Sequence, residues 1–187
     1  MAEANFLYWA TALLELCFAF IRHFIAQAGK QPPFSILKIR FVRAGIAAAK
    51  DSTTSNTSSL RRTYLLGEFI NNPESEFVKF VHNGDTVPLL ADDDPLYALA
   101  EFLCFTQHVQ YTKSGGLIFI SDYQVQHYTG TEHLLTDPQI MSAPEVKTKE
   151  GKNIFGEDNV GSAFMRFPTE HICNKYCKWF EPEPLHT

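Results

Sequence analysis

The chain has 187 residues, of which 45% are hydrophobic and 13% aromatic, and its formal net charge is −5. This length and composition are sufficient for one compact domain with a hydrophobic core. The acidic charge disfavours nucleic-acid binding, because no basic field is available to hold a phosphate backbone. Four cysteines are too few and too unevenly spread for a secreted fold stapled by disulfides, so we expect a protein of the reducing cytoplasm.

The first predicted element is a long apolar helix from Ala4 to Ala28, which ends at Gly29. Glu15 and Arg22 interrupt its apolar run. A charge at the centre of a membrane helix costs roughly 2.5–3.5 kcal/mol, whereas each Leu or Phe returns only about 0.3–0.6 kcal/mol. We therefore predict a helix buried in a soluble domain, with no membrane partner.

The next part of the chain is predicted to contain a short helix over Phe41 to Lys50 and a polar loop at residues 51–59. Two strands follow, over Arg62 to Ile70 and Glu76 to Val81, because both segments are rich in β-branched and aromatic residues. The dipeptide Asn83-Gly84 then predicts a turn.

A second helix is predicted to begin at Asp94-Pro95, because acidic side chains and proline both favour a helix N-terminus. It runs to about Thr112 and carries leucines at helical spacing, which indicates a core-facing side. The glycines Gly115 and Gly116 end it, and the apolar run Leu117 to Ser121 predicts a buried strand.

Polar side chains follow that strand. Asp122 and Gln124 are two residues apart, so in an extended chain both side chains face the same direction. Asp137 precedes a proline and adds a second carboxylate. Together these oxygens would suit Mg²⁺. Taken alone, the two aspartates favour ordinary structural roles, because aspartates are common at strand ends and in Asp-Pro turns.

The C-terminal segment contains a denser cluster: His171, Cys173 and Cys177 lie within seven residues. This pattern is typical of a zinc site, which needs a fourth ligand to complete its tetrahedron. His108 is the first candidate and Cys104, one helical turn earlier, is the competitor. Core cysteines without a metal are the alternative. Four protein ligands would leave no position for water, which indicates a structural rather than a hydrolytic zinc.

The order of these motifs resembles the second half of the alpha-kinase catalytic domain, a family that includes myosin heavy chain kinases and elongation factor 2 kinase. The resemblance covers roughly residues 60 to 180. It rests on six motifs in order: the helix with His108, Ser114-Gly-Gly, Asp122-x-Gln124, Leu135-Thr-Asp-Pro-Gln-Ile140, Phe155-Gly-x-x-Asn159-x-Gly161 and His171-x-Cys173-x-x-x-Cys177. The implied fold is α+β: an alpha-kinase-like large lobe with a largely antiparallel sheet, flanking helices and a C-terminal structural zinc module.

The resemblance also implies an atypical protein kinase that transfers a phosphoryl group from ATP to Ser or Thr of a protein substrate. Its implied cofactors are Mg²⁺ and a structural Zn²⁺. Asp122 matches the catalytic aspartate of the family. The cofactor-binding residues implied are Gln124, Asp137, Glu68, Gly156, Asn159 and Gly161, and the zinc ligands implied are His108, His171, Cys173 and Cys177.

The sequence departs from the family pattern at several points. The strands that precede the long helix in the family, with their phosphate-binding lysine, have no counterpart, so we expect residues 1–50 to be a remnant of the small lobe. The hinge glutamate of the family falls on Gly67, with Glu68 one place later, and Val125 replaces a glycine. Residues 51–59 are then a loop, 60–180 the catalytic and zinc-binding region and 181–187 a tail.

These departures define the alternative function, a truncated pseudokinase that acts as a zinc-stabilised protein-binding scaffold. Missing strands would leave a sheet edge uncovered. A homodimer through that edge is the predicted assembly for this alternative.

Overall fold

The computed structural model describes residues 2–49, 62–70, 77–126, 132–147, 151, 154–155 and 161–185. These residues form helices packed on short strands. In chain order the elements are α1 (Ala2–Ala28), β1 (Ile39–Phe41), β2 (Ala44–Ala48), β3 (Thr63–Gly67), β4 (Phe77–Lys79), α2 (Tyr97–Lys113), β5 (Ile118–Ser121), β6 (Gln124–Gln126), β7 (His133–Thr136), β8 (Gln139–Ser142), α3 (Gly161–Glu170) and α4 (Lys175–Phe180).

The strands form three small sheets. The largest has the order β1-β7-β6-β4, β2 pairs with β3, and β5 pairs with β8. Within the described residues β1 and β7 are parallel, and the other pairs are antiparallel. The prediction of an α+β fold with a largely antiparallel sheet is therefore confirmed.

The core is built around α2, in which eleven of the residues from Leu99 to Gln110 are at most 3% exposed. Phe105 stacks against Tyr176 and Phe180 of α4, with ring centroids 5.9 and 5.4 Å apart. A second apolar cluster surrounds Phe119 and Phe167, whose rings stack at 4.3 Å. These contacts hold the C-terminal helices in place, and so they help to position the histidine and the cysteines of the C-terminal segment.

The long N-terminal helix forms as predicted and ends at Gly29, which has a positive φ of 63°. By length and composition α1 could cross a membrane over Glu3–Ala28, a test that core helices also pass. In this structure one face, which includes Leu13, Cys17 and Ile21, is buried in the main core. α1 is therefore an integral part of the fold.

The helix predicted over Phe41 to Lys50 is wrong. This segment contains the end of β1 and all of β2, whose five residues pair antiparallel with β3 from Ala44↔Gly67 to Ala48↔Thr63. The alanines favour a helix, but Gly45 weakens it and the pairing with β3 supplies the backbone hydrogen bonds instead. Long-range pairing thus overrides the local preference.

The other predicted elements are confirmed where the structure describes them: β3 and β4 lie within the predicted strands, α2 ends at the predicted glycines, and β5 follows. The loop at residues 51–59 lies outside the described residues.

Candidate functional site

Two breaks in the strands lie opposite each other. β5 ends at Ser121 and β6 begins at Gln124, whereas β7 ends at Thr136 and β8 begins at Gln139. Ser121 pairs with Gln139, and Gln124 pairs with Thr136. The two interrupted strands therefore run side by side, and residues 122–123 face residues 137–138.

Each break contains an aspartate in a left-handed backbone conformation: φ is 58° at Asp122 and 47° at Asp137. For a residue with a side chain such conformations cost on the order of 1–3 kcal/mol, and they are concentrated at functional sites. The fold thus holds both carboxylates at one sheet junction at an energetic cost. This arrangement brings together the two aspartates that the sequence singled out.

A lysine that the sequence analysis did not select lies beside Asp122. Lys79 of β4 pairs with Gln124 of β6, and its Nζ is 2.5 Å from Oδ1 of Asp122. That oxygen is shielded from solvent, and its contact with the ammonium is an ion pair without the alignment of a hydrogen bond. A signal was present in the sequence, since Lys79 is the one charged residue in the run Phe77-Val-Lys-Phe-Val81.

Gln124 and Asp137 complete the polar edge of the junction. Gln124 is half-buried between β4 and β7, and Asp137 is exposed just beyond the end of β7. Two carboxylates and one amide oxygen are hard oxygen donors, which match the preference of Mg²⁺ for few protein ligands together with phosphate and water. The donor set therefore fits a magnesium ion.

Glu68 follows β3, and its carboxylate is hydrogen-bonded to an arginine. Its carboxylate oxygens accept from Nη1 and Nη2 of Arg40 at 2.7 and 2.9 Å, and the backbone N–H of Arg43 donates to it at 3.0 Å. The Arg40 hydrogen bonds, followed by the one from Arg43, lower the pKa of Glu68 to about 2. Arg40 also binds Glu132 at 2.8 Å. Because its oxygens are engaged, the Glu68 side chain acts here as part of a three-residue ion-pair network.

The glycine-rich loop is only partly described. Gly156 and Asn159 lie outside the described residues. Gly161 begins α3 and is exposed, and a Cβ added there would meet no atom within 4 Å. Packing within the described protein therefore does not require glycine at this position.

A metal-binding cluster forms where α2, α3 and α4 converge. It consists of His108, His171, Cys173 and Cys177, whose candidate ligand atoms all lie within 4.8 Å of one another. Sγ of Cys173 is 3.7 Å from Nδ1 of His108, and Sγ of Cys177 is 3.6 Å from Nε2 of His171. Tetrahedral zinc with bonds of about 2.0–2.3 Å separates its ligand atoms by about 3.3–3.8 Å. The chemistry and spacing of the cluster therefore fit zinc.

The surroundings favour the ligand form of both imidazoles. Nε2 of His108 lies 2.9 Å from the carbonyl oxygen of Glu183, which can only accept, so Nε2 carries the proton and Nδ1 faces the thiols with its lone pair. Burial lowers the pKa of His108, and burial together with the nearby His108 lowers that of His171 to about 4. Neutral imidazole is the form that binds metal.

Cys104, the competing fourth ligand, lies apart from this cluster. It is not among the four residues whose candidate ligand atoms lie within 4.8 Å of one another. The structure therefore brings His108, and not Cys104, to the other three residues.

An open groove of about 1010 Å³ lies elsewhere, between the first half of α1 and the segment from Ile39 to Ile46. Its lining includes Tyr8 and Arg40 but neither Asp122 nor Asp137. This groove and the junction of the two aspartates are thus separate features of the molecule.

Comparison with known families gives a match to the Alpha-kinase family over residues 6–177. No curated protein sequence matches the chain.

Among solved structures, the alpha-kinase domain of myosin heavy chain kinase A in complex with ADP is similar, with a TM-score of 0.54 and 22% identity over 96% of this chain and 60% of that chain. The same domain in complex with AMPPCP gives a TM-score of 0.51 and 21% identity over 96% of this chain and 58% of that chain. An alpha kinase from Entamoeba histolytica gives 0.57 and 16% identity over 94% of this chain and 65% of that chain. The chain thus spans about three fifths of the structures it matches, and these similarities concern the fold.

Proposed function

Since this chain belongs to the alpha-kinase family, whose members are atypical protein kinases, we propose that it transfers the γ-phosphoryl group of ATP to Ser or Thr hydroxyls of a protein substrate. The observation that carries the proposal is the junction where Asp122, paired with Lys79, faces the break that contains Asp137. Phosphoryl transfer asks the protein mainly to position reactants and to neutralise charge. One cation and two carboxylates at a single edge are suited to both tasks.

In this proposal Asp122 orients the acceptor hydroxyl and takes up its proton as the oxygen attacks the γ-phosphorus, the bond from that phosphorus to the bridging oxygen breaks, and ADP leaves. The Lys79 ammonium lies beside that carboxylate and neutralises negative charge on the phosphoryl oxygens during transfer. Gln124 and Asp137 would hold Mg²⁺, which when bound neutralises the charge of the phosphates. Glu68 remains a candidate for nucleotide binding through its backbone carbonyl oxygen, because Arg40 engages its carboxylate and its backbone N–H donates to the carbonyl oxygen of Arg43.

A structural zinc at His108, His171, Cys173 and Cys177 is the second part of the proposal. These ligands come from α2, from the segment between α3 and α4, and from α4 itself. A bound zinc would therefore fasten the C-terminal helices to the helix around which the core is built. A closed set of four ligands assigns the metal to stability rather than to chemistry.

The experiment that tests the proposal is Mg²⁺-dependent transfer of labelled γ-phosphate from ATP to a basic protein substrate by the folded, zinc-loaded chain. Asp122→Asn removes the base with little change in volume, and its matched control is Asp93→Asn, an exposed aspartate in the turn before α2. Losing a general base typically lowers the rate by about 10²–10⁴-fold. We expect a decrease of that size in Asp122→Asn and an unchanged rate in the control; equal rates in both variants would contradict the proposal.

A zinc-stabilised protein-binding scaffold is a second candidate, favoured by the exposed β2–β3 sheet. All five residues of β3 are exposed, and β2 pairs with no strand other than β3 within the described residues. Such unpaired edges bind further strands, including those of a second copy. Folded, zinc-loaded protein that transfers no phosphate would favour this candidate.

A further inference from the structure

A buried polar network lies directly behind Asp122 and is not used by the chemistry proposed above. Gln107 and Gln110 of α2 point at the end of β5, where Nε2 of Gln107 donates to the carbonyl oxygen of Ile120 at 2.9 Å. The backbone N–H of Ile120 donates to Oε1 of Gln110 at 2.8 Å. Two glutamines therefore fix both backbone groups of the residue two positions before Asp122.

The residue after Asp122 is held by the same helix. Tyr123 is fully buried, and its hydroxyl lies 3.0 Å from Oγ1 of Thr106 and 3.3 Å from Nε2 of Gln110. Its carbonyl oxygen accepts from the backbone N–H of Phe80 at 2.9 Å. Burial raises the pKa of this hydroxyl well above its usual range, so it stays protonated as a hydrogen-bonding group.

Gln110 is hydrogen-bonded to residues on both sides of Asp122. Its Oε1 is bonded before the aspartate, at Ile120, and its Nε2 is bonded after it, at Tyr123. The aspartate between them has the left-handed φ of 58°, a conformation that persists only where the surroundings over-determine it. The side-chain amide of Gln110, which is hydrogen-bonded on both sides of Asp122, supplies this constraint.

We propose that Gln110 and Tyr123 are positioning residues that hold Asp122 in its left-handed conformation with its carboxylate beside Lys79. The inference rests on the proposed function in that Asp122 is taken as the catalytic base. It adds that the geometry of this base is set by α2 through one bridging glutamine. A purely structural role for the network would instead affect folding without a separate effect on turnover.

The kinetic test uses Tyr123→Phe, which keeps the ring and removes the hydroxyl, and Gln110→Met, which keeps the length and removes both hydrogen bonds. We expect kcat to fall about tenfold in each folded variant, equivalent to about 1.4 kcal/mol in the barrier, while KM for ATP stays within about twofold. Because both changes break the same contact, the double variant should lose little more than Gln110→Met alone.

The matched control is Ile21→Ala, which removes buried methyl groups from the same core and touches none of these hydrogen bonds. It should lower the melting temperature without lowering the kcat of the folded fraction. If Tyr123→Phe and Gln110→Met keep the parental kcat, or lose it only in proportion to the folded fraction as Ile21→Ala does, the positioning role is overturned. Tyr123→Phe keeps the test decisive if Gln110→Met does not fold.

A second measurement separates this inference from the proposed function. If the parent chain itself transfers no phosphate, the kinase proposal fails, and amide hydrogen exchange then decides the positioning role. Tyr123→Phe should accelerate exchange in the peptide spanning residues 119–124 and leave residues 164–170 of α3 at the parental rate. Unchanged exchange at 119–124, or equal acceleration in both peptides, would overturn the proposal.

Discussion

The helix α2 and the β2–β3 sheet differ in their burial and in their contribution to the candidate site. α2 is buried over most of its length, and it supplies His108 to the metal cluster and Gln110 to the backbone around Asp122. The β2–β3 sheet is exposed along nearly all its residues, and the Arg40–Glu68 ion pair lies at one of its ends. The candidate chemistry therefore depends on the buried elements around α2. Substitutions there should lower stability or activity strongly, whereas substitutions in the exposed β2–β3 sheet should have small effects.

The largest effect is expected from a substitution that disrupts the metal cluster. Zinc contributes about 10–16 kcal/mol in model peptides, whereas whole domains are stable by only about 5–15 kcal/mol. Cys177→Ser should therefore abolish stoichiometric zinc and lower the melting temperature by at least about 10 °C. Elemental analysis of the purified protein and thermal unfolding measure the two effects.

Cys104→Ala is the matched control for this change, since Cys104 is a buried cysteine of α2 that lies outside the cluster. It should retain one zinc per chain. Loss of zinc in Cys104→Ala with retention in Cys177→Ser would overturn the assignment of the ligands.

A smaller effect compares two leucines, one from each region. Leu103 of α2 is 0% exposed and Leu66 of β3 is 59% exposed. Leu103→Ala should lower the free energy of unfolding by about 2–5 kcal/mol through lost burial and the cavity that remains. Leu66→Ala should change it by no more than about 0.5 kcal/mol.

Urea unfolding at equilibrium, followed by tryptophan fluorescence, measures both values. Equal losses in the two variants would show that the β2–β3 sheet is packed in solution against something that covers it, for example a second copy of the chain. In that case the contrast between the two regions would not hold.

The sequence predicted the elements whose signals are local. α1 and α2 have long apolar periodicity, with glycines where each ends, and β5 is a short apolar run before Asp122. Membership of the alpha-kinase family was predicted from the order of motifs and is confirmed. The helix predicted over Phe41 to Lys50 was wrong because the strand there depends on pairing with β3, which lies some 20 residues away in sequence.

The two aspartates of the candidate site could be chosen from the sequence, whereas Lys79 and the contacts between these residues could not. Asp122 and Asp137 could be chosen as carboxylates in suggestive positions, but their opposition arises from the β5–β8 and β6–β7 registers. Lys79 belongs to a strand whose partner, β6, cannot be identified from local pattern. Its ion pair with Asp122 therefore could not be found without the fold.

The measurement that tests the central claim most directly is the affinity of the folded, zinc-loaded chain for ADP, determined by calorimetry with and without Mg²⁺. If the buried elements around α2 carry a metal-assisted nucleotide site, Mg²⁺ should tighten ADP binding in the parent chain. It should have much less effect in Asp137→Asn. The absence of ADP binding by the folded parent, or an equal effect of Mg²⁺ in Asp137→Asn, would contradict the account.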